Sequence, residues 1–169
     1  VASADKEGTM RYRKDYTEST GTELITNGDF ATDSGDWVKG TGWTISGGTA
    51  SCDGTQTAGT QLAQNGTYVS GTIYKITYTV TIITAGNVDV RLQGVGATVT
   101  GTVRTVSGTY TDYLTSTGNT SFRFRGNSDL IGSVDNISVK AVTGASYVDM
   151  CMKTGETTYS WENIKTNTW

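Results

Sequence analysis

Two residue types are missing from this chain: it has no proline and no histidine. Without histidine, Ser-His-Asp and Cys-His catalysis are excluded, and most zinc and iron sites with them. Cysteine is scarce, with Cys52 and Cys151 far apart in the chain. Two cysteines make neither a disulfide framework nor a metal cluster. Both read as small buried apolar residues with free thiols, which permits folding in a reducing compartment. Charge is also sparse: 17% of residues are charged and the net charge is -3. Nucleic acid requires a clustered basic face, which is absent. Arg11, Arg13 and Lys14 form one short basic run, and Arg91, Arg104, Arg123 and Arg125 are scattered, so these read as solvated strand faces. No apolar run reaches the length of a membrane-spanning helix, and no Gly-rich phosphate loop ending in Gly-Lys-Ser/Thr is present. The opening stretch, Val1 to Gly8, is polar and contains neither a signal peptide nor an initiator methionine, so the expectation is a fragment or a processed piece.

What is present is threonine and glycine. Threonine suits pleated, half-exposed strands, and glycine suits the turns between them. The length of 169 residues fits one domain, or one domain with a small appendage. The clearest strand runs from Thr72 to Ile83. Tyr74, Ile76, Tyr78, Val80 and Ile82 alternate there with Lys75, Thr77, Thr79 and Thr81, which gives one apolar and one polar face. A Gly86-Asn87 turn follows, and Val88, Val90 and Leu92 alternate with Asp89 and Arg91, so a hairpin partner is expected. Further strands are expected at Trp43–Ile45, Thr49–Cys52, Gly101–Val106, Tyr110–Thr115, Ser121–Arg125 and Val134–Val142. Short strands at this spacing, with no helical period anywhere, predict an all-β antiparallel sandwich or barrel.

The ends of the chain read differently. Thr9–Arg13 predicts a strand with Met10 and Tyr12 on one face. Tyr147–Met152 predicts another, and Tyr159 and Trp161 align on a last one. Ser19–Thr22 and Thr143–Ser146 read as linkers. A central domain, residues 22–142, is therefore expected to be inserted into a small β module whose halves are residues 1–21 and 143–169. So small a module rarely buries enough surface to fold alone. Met10, Tyr12, Met150, Met152, Tyr159, Trp161 and Trp169 are accordingly expected to complete their core against copies of the same chain, with a homotrimer as the leading assembly.

The central block opens with Glu23-Leu24-Ile25-Thr26-Asn27-Gly28-Asp29-Phe30, continues through Trp37 and Gly42-Trp43-Thr44-Ile45-Ser46-Gly47-Gly48, and closes with Gly132-Ser133-Val134-Asp135-Asn136-Ile137-Ser138-Val139. In these residues it resembles the jelly-roll carbohydrate-binding modules found beside glycanases and in phage structural proteins. The ends carry Gly8-Thr9-Met10-Arg11-Tyr12-Arg13, Tyr147-Val148-Asp149-Met150-Cys151-Met152 and Thr158-Tyr159-Ser160-Trp161. These resemble a short module of phage tail and head fibres.

The resemblance implies a jelly-roll sandwich and a structural calcium ion. Asp135 matches the carboxylate of the closing strand in that family, with Asp29 as a second candidate ligand. The competing reading is that Asp135 holds strand-end amides and Asp29 shapes a turn. A glycan site would need aromatic faces with polar partners beside them. The candidates are Trp37, Tyr68, Tyr110 and Tyr113, with Gln61, Gln64, Arg91, Gln93, Arg123 and Arg125. Trp37 also matches a core position of the family, and Trp43, Tyr74 and Tyr78 read as core. The arginines would line one outer face if Val88–Leu92 and Ser121–Arg125 share a sheet.

The expected function is non-enzymatic. It is that of a virion structural protein, a tail fibre, head fibre or capsid decoration, assembled in the host cytoplasm and exposed on the particle surface. Its partners would be copies of itself, other virion proteins, and cell-surface or mucosal glycans, with no nucleic acid and no membrane insertion. The alternative is a carbohydrate-binding module of a secreted glycanase. Catalysis would need paired carboxylates, and nothing in sequence pairs Asp33, Asp36, Asp53, Asp129 or Glu156.

Overall fold

A computed structural model of the chain describes the backbone of residues 10–16, 21–142, 144–153 and 159–164, and the side chains of residues 21–81 and 84–142. Strands account for the regular structure, and the described residues include no helix. In chain order the strands are β1 Met10–Tyr16, β2 Val38–Lys39, β3 Trp43–Ser46, β4 Thr49–Asp53, β5 Thr60–Asn65, β6 Ile73–Ala85, β7 Val88–Gln93, β8 Val99–Thr100, β9 Gly108–Thr115, β10 Ser121–Gly126, β11 Ile131–Val142, β12 Gly144–Lys153 and β13 Tyr159–Ile164. The chain divides into two compact units, residues 19–142 and residues 1–18 with 143–169.

The larger unit is an antiparallel β-sandwich. Its first sheet has the order β2-β5-β10-β7-β8 and its second the order β3-β4-β11-β6-β9. From β4 to β7, and again from β8 to β11, the chain changes sheet at every step, the path of a jelly roll. The expected hairpin between β6 and β7 is therefore corrected. Gly86, at a φ of 76°, turns the chain from the second sheet into the first. Alternation marks an inward face but is silent on whether two successive strands pair in one sheet or face each other across the core. An added Cβ at Gly86 would lie 2.5 Å from the Leu130 amide nitrogen, so the crossing demands glycine. A true hairpin joins β3 to β4, where Gly47 and Gly48, at φ of 60° and 79°, form a two-residue turn of the type that antiparallel twist prefers.

Inward positions of both sheets form one core. Phe122 and Phe124 of β10 are fully buried, as are Leu62, Val90 and Leu92 from the neighbouring strands and Ile76 and Val139 from the opposite sheet. A run of ring contacts passes through it: Phe30 to Trp37 at 5.2 Å, Trp37 to Phe122 at 6.2 Å, Phe122 to Phe124 at 5.2 Å and Phe124 to Tyr78 at 5.3 Å. Most of these meet edge to face, the arrangement the ring quadrupole favours. Trp43, Tyr74 and Tyr78 are core residues, as expected, and Cys52 is a buried free thiol whose pKa is pushed up by burial.

Two segments differ from the sequence expectation. Gly101–Val106 is not a strand. It follows β8 as a loop that returns to β7 through mutual hydrogen bonds between Val88 and Arg104. Its anchor is a side-chain cluster, in which Tyr78 Oη and Arg104 Nη2 donate to Asp112 Oδ2 at 2.9 and 3.0 Å. The Thr102 amide donates to the other carboxylate oxygen at 3.1 Å. Burial works to raise the Asp112 pKa, but these donors together hold it below the ordinary carboxylate value. Strand β5, in turn, escapes a search for apolar alternation because two of its inward residues, Thr60 and Gln64, are polar.

The smaller unit is a three-stranded antiparallel sheet of order β1-β12-β13. Met10 stands opposite Met150 and Tyr12 opposite Val148, while Trp161 stands opposite Cys151 and Tyr159 opposite Lys153. The expected linker Thr143–Ser146 is shorter than read, because Gly144, Ala145 and Ser146 already pair with Tyr16, Asp15 and Lys14. The side chains of Met10, Tyr12, Met150, Met152, Tyr159 and Trp161, and all of Trp169, lie outside the described residues.

Candidate functional site

Strand β10 buries Phe122 and Phe124, so alternation sends Ser121, Arg123 and Arg125 to the outer face of the first sheet. The register sets Arg123 between Arg91 of β7 and Ala63 of β5, and Arg125 between Asp89 and Gln61. β7 and β10 are thus neighbours, and the three arginines expected on one face are brought together there.

Their bonding differs. Arg91 makes a two-pronged ion pair with Asp89, with Nη2 3.0 Å from Oδ2 and Nε on Oδ1, and this hydrogen-bonded pairing raises the arginine's pKa. Among the described residues Arg123 meets only neutral acceptors, Ser121 Oγ at 3.0 Å from Nε and Gln61 Oε1 at 2.6 Å from Nη1. Among the described residues, Arg125 has no hydrogen bond or ion pair; its guanidinium lies beside Gly59, where an added Cβ would stand 2.4 Å from Nη2. Gln93, farther along β7, has a covered side-chain oxygen without a donor.

Beside Arg125 opens a cleft of about 280 Å³, lined by Gly40, Thr41 and residues 55–61. Its walls are held firmly. Asp53 Oδ1 accepts from the Thr55 amide and hydroxyl at 3.0 and 2.7 Å, and the hydroxyl first of all lowers the Asp53 pKa. Buried Gln56 donates to the Leu130 carbonyl at 2.8 Å and accepts from the Cys52 thiol. Thr60 Oγ1 reaches the Thr41 carbonyl at 2.7 Å. Sequence reasoning missed this cleft. Its only local signal is the run of threonine and glycine after Asp53, which carries no apolar alternation.

A second cleft of about 270 Å³ lies at the β2–β5 edge, lined by residues including Leu24, Thr26, Asp36, Val38 and Asn65. Gln64 belongs to its wall. It clasps the backbone of Thr26 through both amide atoms, each at 2.8 Å, and is committed to holding the first segment to β5.

The aromatic candidates do not join the arginines. Trp37 is 3% exposed, packed between Phe30 and Phe122, and donates its indole N–H to the Asn27 carbonyl at 3.1 Å. Tyr68 is 1% exposed, edge-on to Tyr74, with its pKa raised by burial. Neither ring offers a face to solvent, and both are withdrawn as sugar platforms. Tyr110 is half-buried, with the Arg104 guanidinium 4.4 Å from its ring centre and its hydroxyl on the Val106 carbonyl. Tyr113 is exposed, but it lies on β9 opposite Lys75, in the other sheet.

The opening and closing motifs meet. The Gly28 carbonyl accepts from the Ile137 amide at 2.8 Å, and an added Cβ at Gly28 would come within 2.1 Å of the Ile137 oxygen. Asn136, at a φ of 53°, marks a register shift in β11. Asp135 accepts from the Asn136 amide and from its side chain at 2.6 and 2.9 Å, and Asp29 accepts from the Ala31 amide at 3.3 Å. Glu23 accepts from the amides of Leu24, Ile25 and Val139 and from Ser138 Oγ. Among the described residues no three histidine, cysteine or acidic side chains gather as a metal would need. Asp135 and Asp29 accept from local donors, and the Gly28 and Ile137 backbones meet beside the closing motif.

The arrangement is suited to binding: among the described residues Arg123 and Arg125 make no ion pair, and Gly59, beside Arg125, lines a cleft with threonine hydroxyls and amides. Compared with models of protein families and with curated proteins, the chain matches none.

Proposed function

We propose that this chain is a non-enzymatic structural module of a virion, a fibre or decoration piece, that displays its sandwich outward and holds glycans weakly on the outer face of the first sheet. The observation that carries the reading is the sheet formed by β1, β12 and β13, in which the two ends of the chain pair with each other. A sheet this small needs further apolar cover to be stable. Copies of the same chain supply that cover, and a trimer presents three weak sites whose avidity exceeds that of one. The resemblance of the ends to phage fibre modules agrees with this organisation. Partners on this reading are sister chains, other virion proteins and cell-surface or mucosal glycans.

Light scattering on the full chain is the test. A trimer is the expected mass, and a monomer at micromolar concentration removes the assembly argument. A structural calcium ion at Asp135, held with backbone carbonyls, belongs to the same proposal; a chelator that lowers the unfolding midpoint supports it and an unmoved midpoint removes it.

A second reading is a carbohydrate-binding module of a secreted glycanase. It is favoured by the junction of Gly28 with Ile137, which unites the two motifs that resemble such modules. Tight binding of one polysaccharide by a monomeric chain would support it over the first.

A further inference from the structure

Building on the glycan-binding reading, we propose that the first sheet's outer face selects sugars that carry a carboxylate. The chain as a whole is acidic, at -3, yet this face concentrates positive charge. Asp89 bonds Arg91 and stands opposite Arg125 in the register, so one carboxylate serves three arginines, and neither Arg123 nor Arg125 makes an ion pair among the described residues. Arg123 also stands directly opposite Arg91 in the register, a cross-strand pairing of like charges that costs stability in the empty protein. A bound anion relieves that cost.

The chemistry of the two arginines fits a carboxylate. Guanidinium groups bind carboxylates through paired, charge-assisted hydrogen bonds. Arg123 uses Nε and Nη1 on Ser121 and Gln61, which leaves Nη2 to give. Arg125 has its whole fork to give. The adjoining cleft, about 280 Å³, falls near the small end of ligand sites and suits a single sugar unit. Its threonine hydroxyls and the amide of Gln61 meet a sugar's remaining hydroxyls. Gly59 makes the arrangement possible, since any side chain there would collide with Arg125.

The test is a panel of oligosaccharides ending in glucuronate, galacturonate or sialate, each beside its neutral counterpart, titrated against the full chain. At least one acidic member is expected to bind about tenfold more tightly than its neutral counterpart, with binding weakened by salt. Arg125→Gln and Arg123→Gln should each remove about tenfold in affinity without lowering the unfolding midpoint. Gly59→Ala should weaken binding by displacing Arg125, although it removes no binding group. Equal affinity for acidic and neutral members would overturn the selectivity and leave glycan binding standing. No binding to any member would overturn both. Acid-selective binding that survives Arg123→Gln and Arg125→Gln would overturn the assignment to this face.

Discussion

Inside the sandwich the two sheets contribute alike. Leu62, Val90, Leu92, Phe122 and Phe124 of the first meet Tyr74, Ile76, Tyr78, Val80 and Val139 of the second, all at or below 2% exposure. Their exteriors differ. The first sheet turns out Gln61, Arg91, Arg123 and Arg125, with the charges of β7 and β10 side by side. The second turns out Thr77, Thr79, Thr109 and Thr111 in cross-strand pairs, with Tyr113 beside Lys75, and its Lys140 stands 4.0 Å from Glu23. The contrast teaches that a shared core leaves the outward positions free. Those of the second sheet follow β-propensity, whereas those of the first carry charges, three arginines around the single carboxylate of Asp89, with Arg123 set opposite Arg91.

The comparison can be broken first at the seam between the sheets. Asp112→Ala removes the acceptor shared by Tyr78, Arg104 and Thr102 and should cost about 3 kcal/mol, read from a urea midpoint. The same cluster sets a pH dependence. Because the Asp112 pKa is held below its ordinary value of 3.8, its contribution is present above that value and is lost as pH falls through the lower folded one. Tyr78 is shifted upward, chiefly by burial, so stability should also decline as pH rises past its ordinary value of 10.0. Asp112→Asn should flatten the acid limb; an unchanged limb would reassign it to other carboxylates.

A smaller effect separates inward from outward on a single strand. Gln64→Ala breaks the clasp on Thr26 and should cost about 2 kcal/mol, whereas Gln61→Ala, three residues earlier and on the opposite face, should stay within about 0.5 kcal/mol. Equal costs would mean that the outer face of β5 is also structural. In the second sheet, Gly48→Ala places a side chain at a φ of 79° and should cost about 1 kcal/mol by thermal unfolding. Least of all, Thr77→Val should move stability by under about 0.5 kcal/mol and leave glycan affinity untouched. Loss of binding on that change would shift the site to the second sheet.

Strands with apolar alternation were legible in advance: Tyr74 to Val80, Trp43 and Ile45, and the arginine-bearing strand Ser121–Arg125. Their period of two places alternate residues on opposite faces whatever surrounds them. β5 was not legible, because its inward Gln64 is satisfied by Thr26, a partner distant in the chain. Nor was the fate of the aromatics. Tyr68 looks like any tyrosine in a loop until the fold supplies Tyr74 to cover it, and the burial of Trp37 against Phe30 and Phe122 was legible only through the family resemblance. The cleft at residues 55–61 depends on Gln56 reaching Leu130, a contact that no local pattern announces.

By itself the sequence determined an all-β chain, the absence of histidine chemistry, and the inward face of each alternating strand, since these follow from composition and from backbone geometry that repeats every two residues. Only the tertiary structure decided that β6 and β7 lie in opposite sheets, that Arg91 and Arg123 stand side by side, and that Arg125 borders a cleft through Gly59. Pairing between strands depends on turns and distant partners competing for the same hydrogen bonds, and that competition is resolved when the whole core closes.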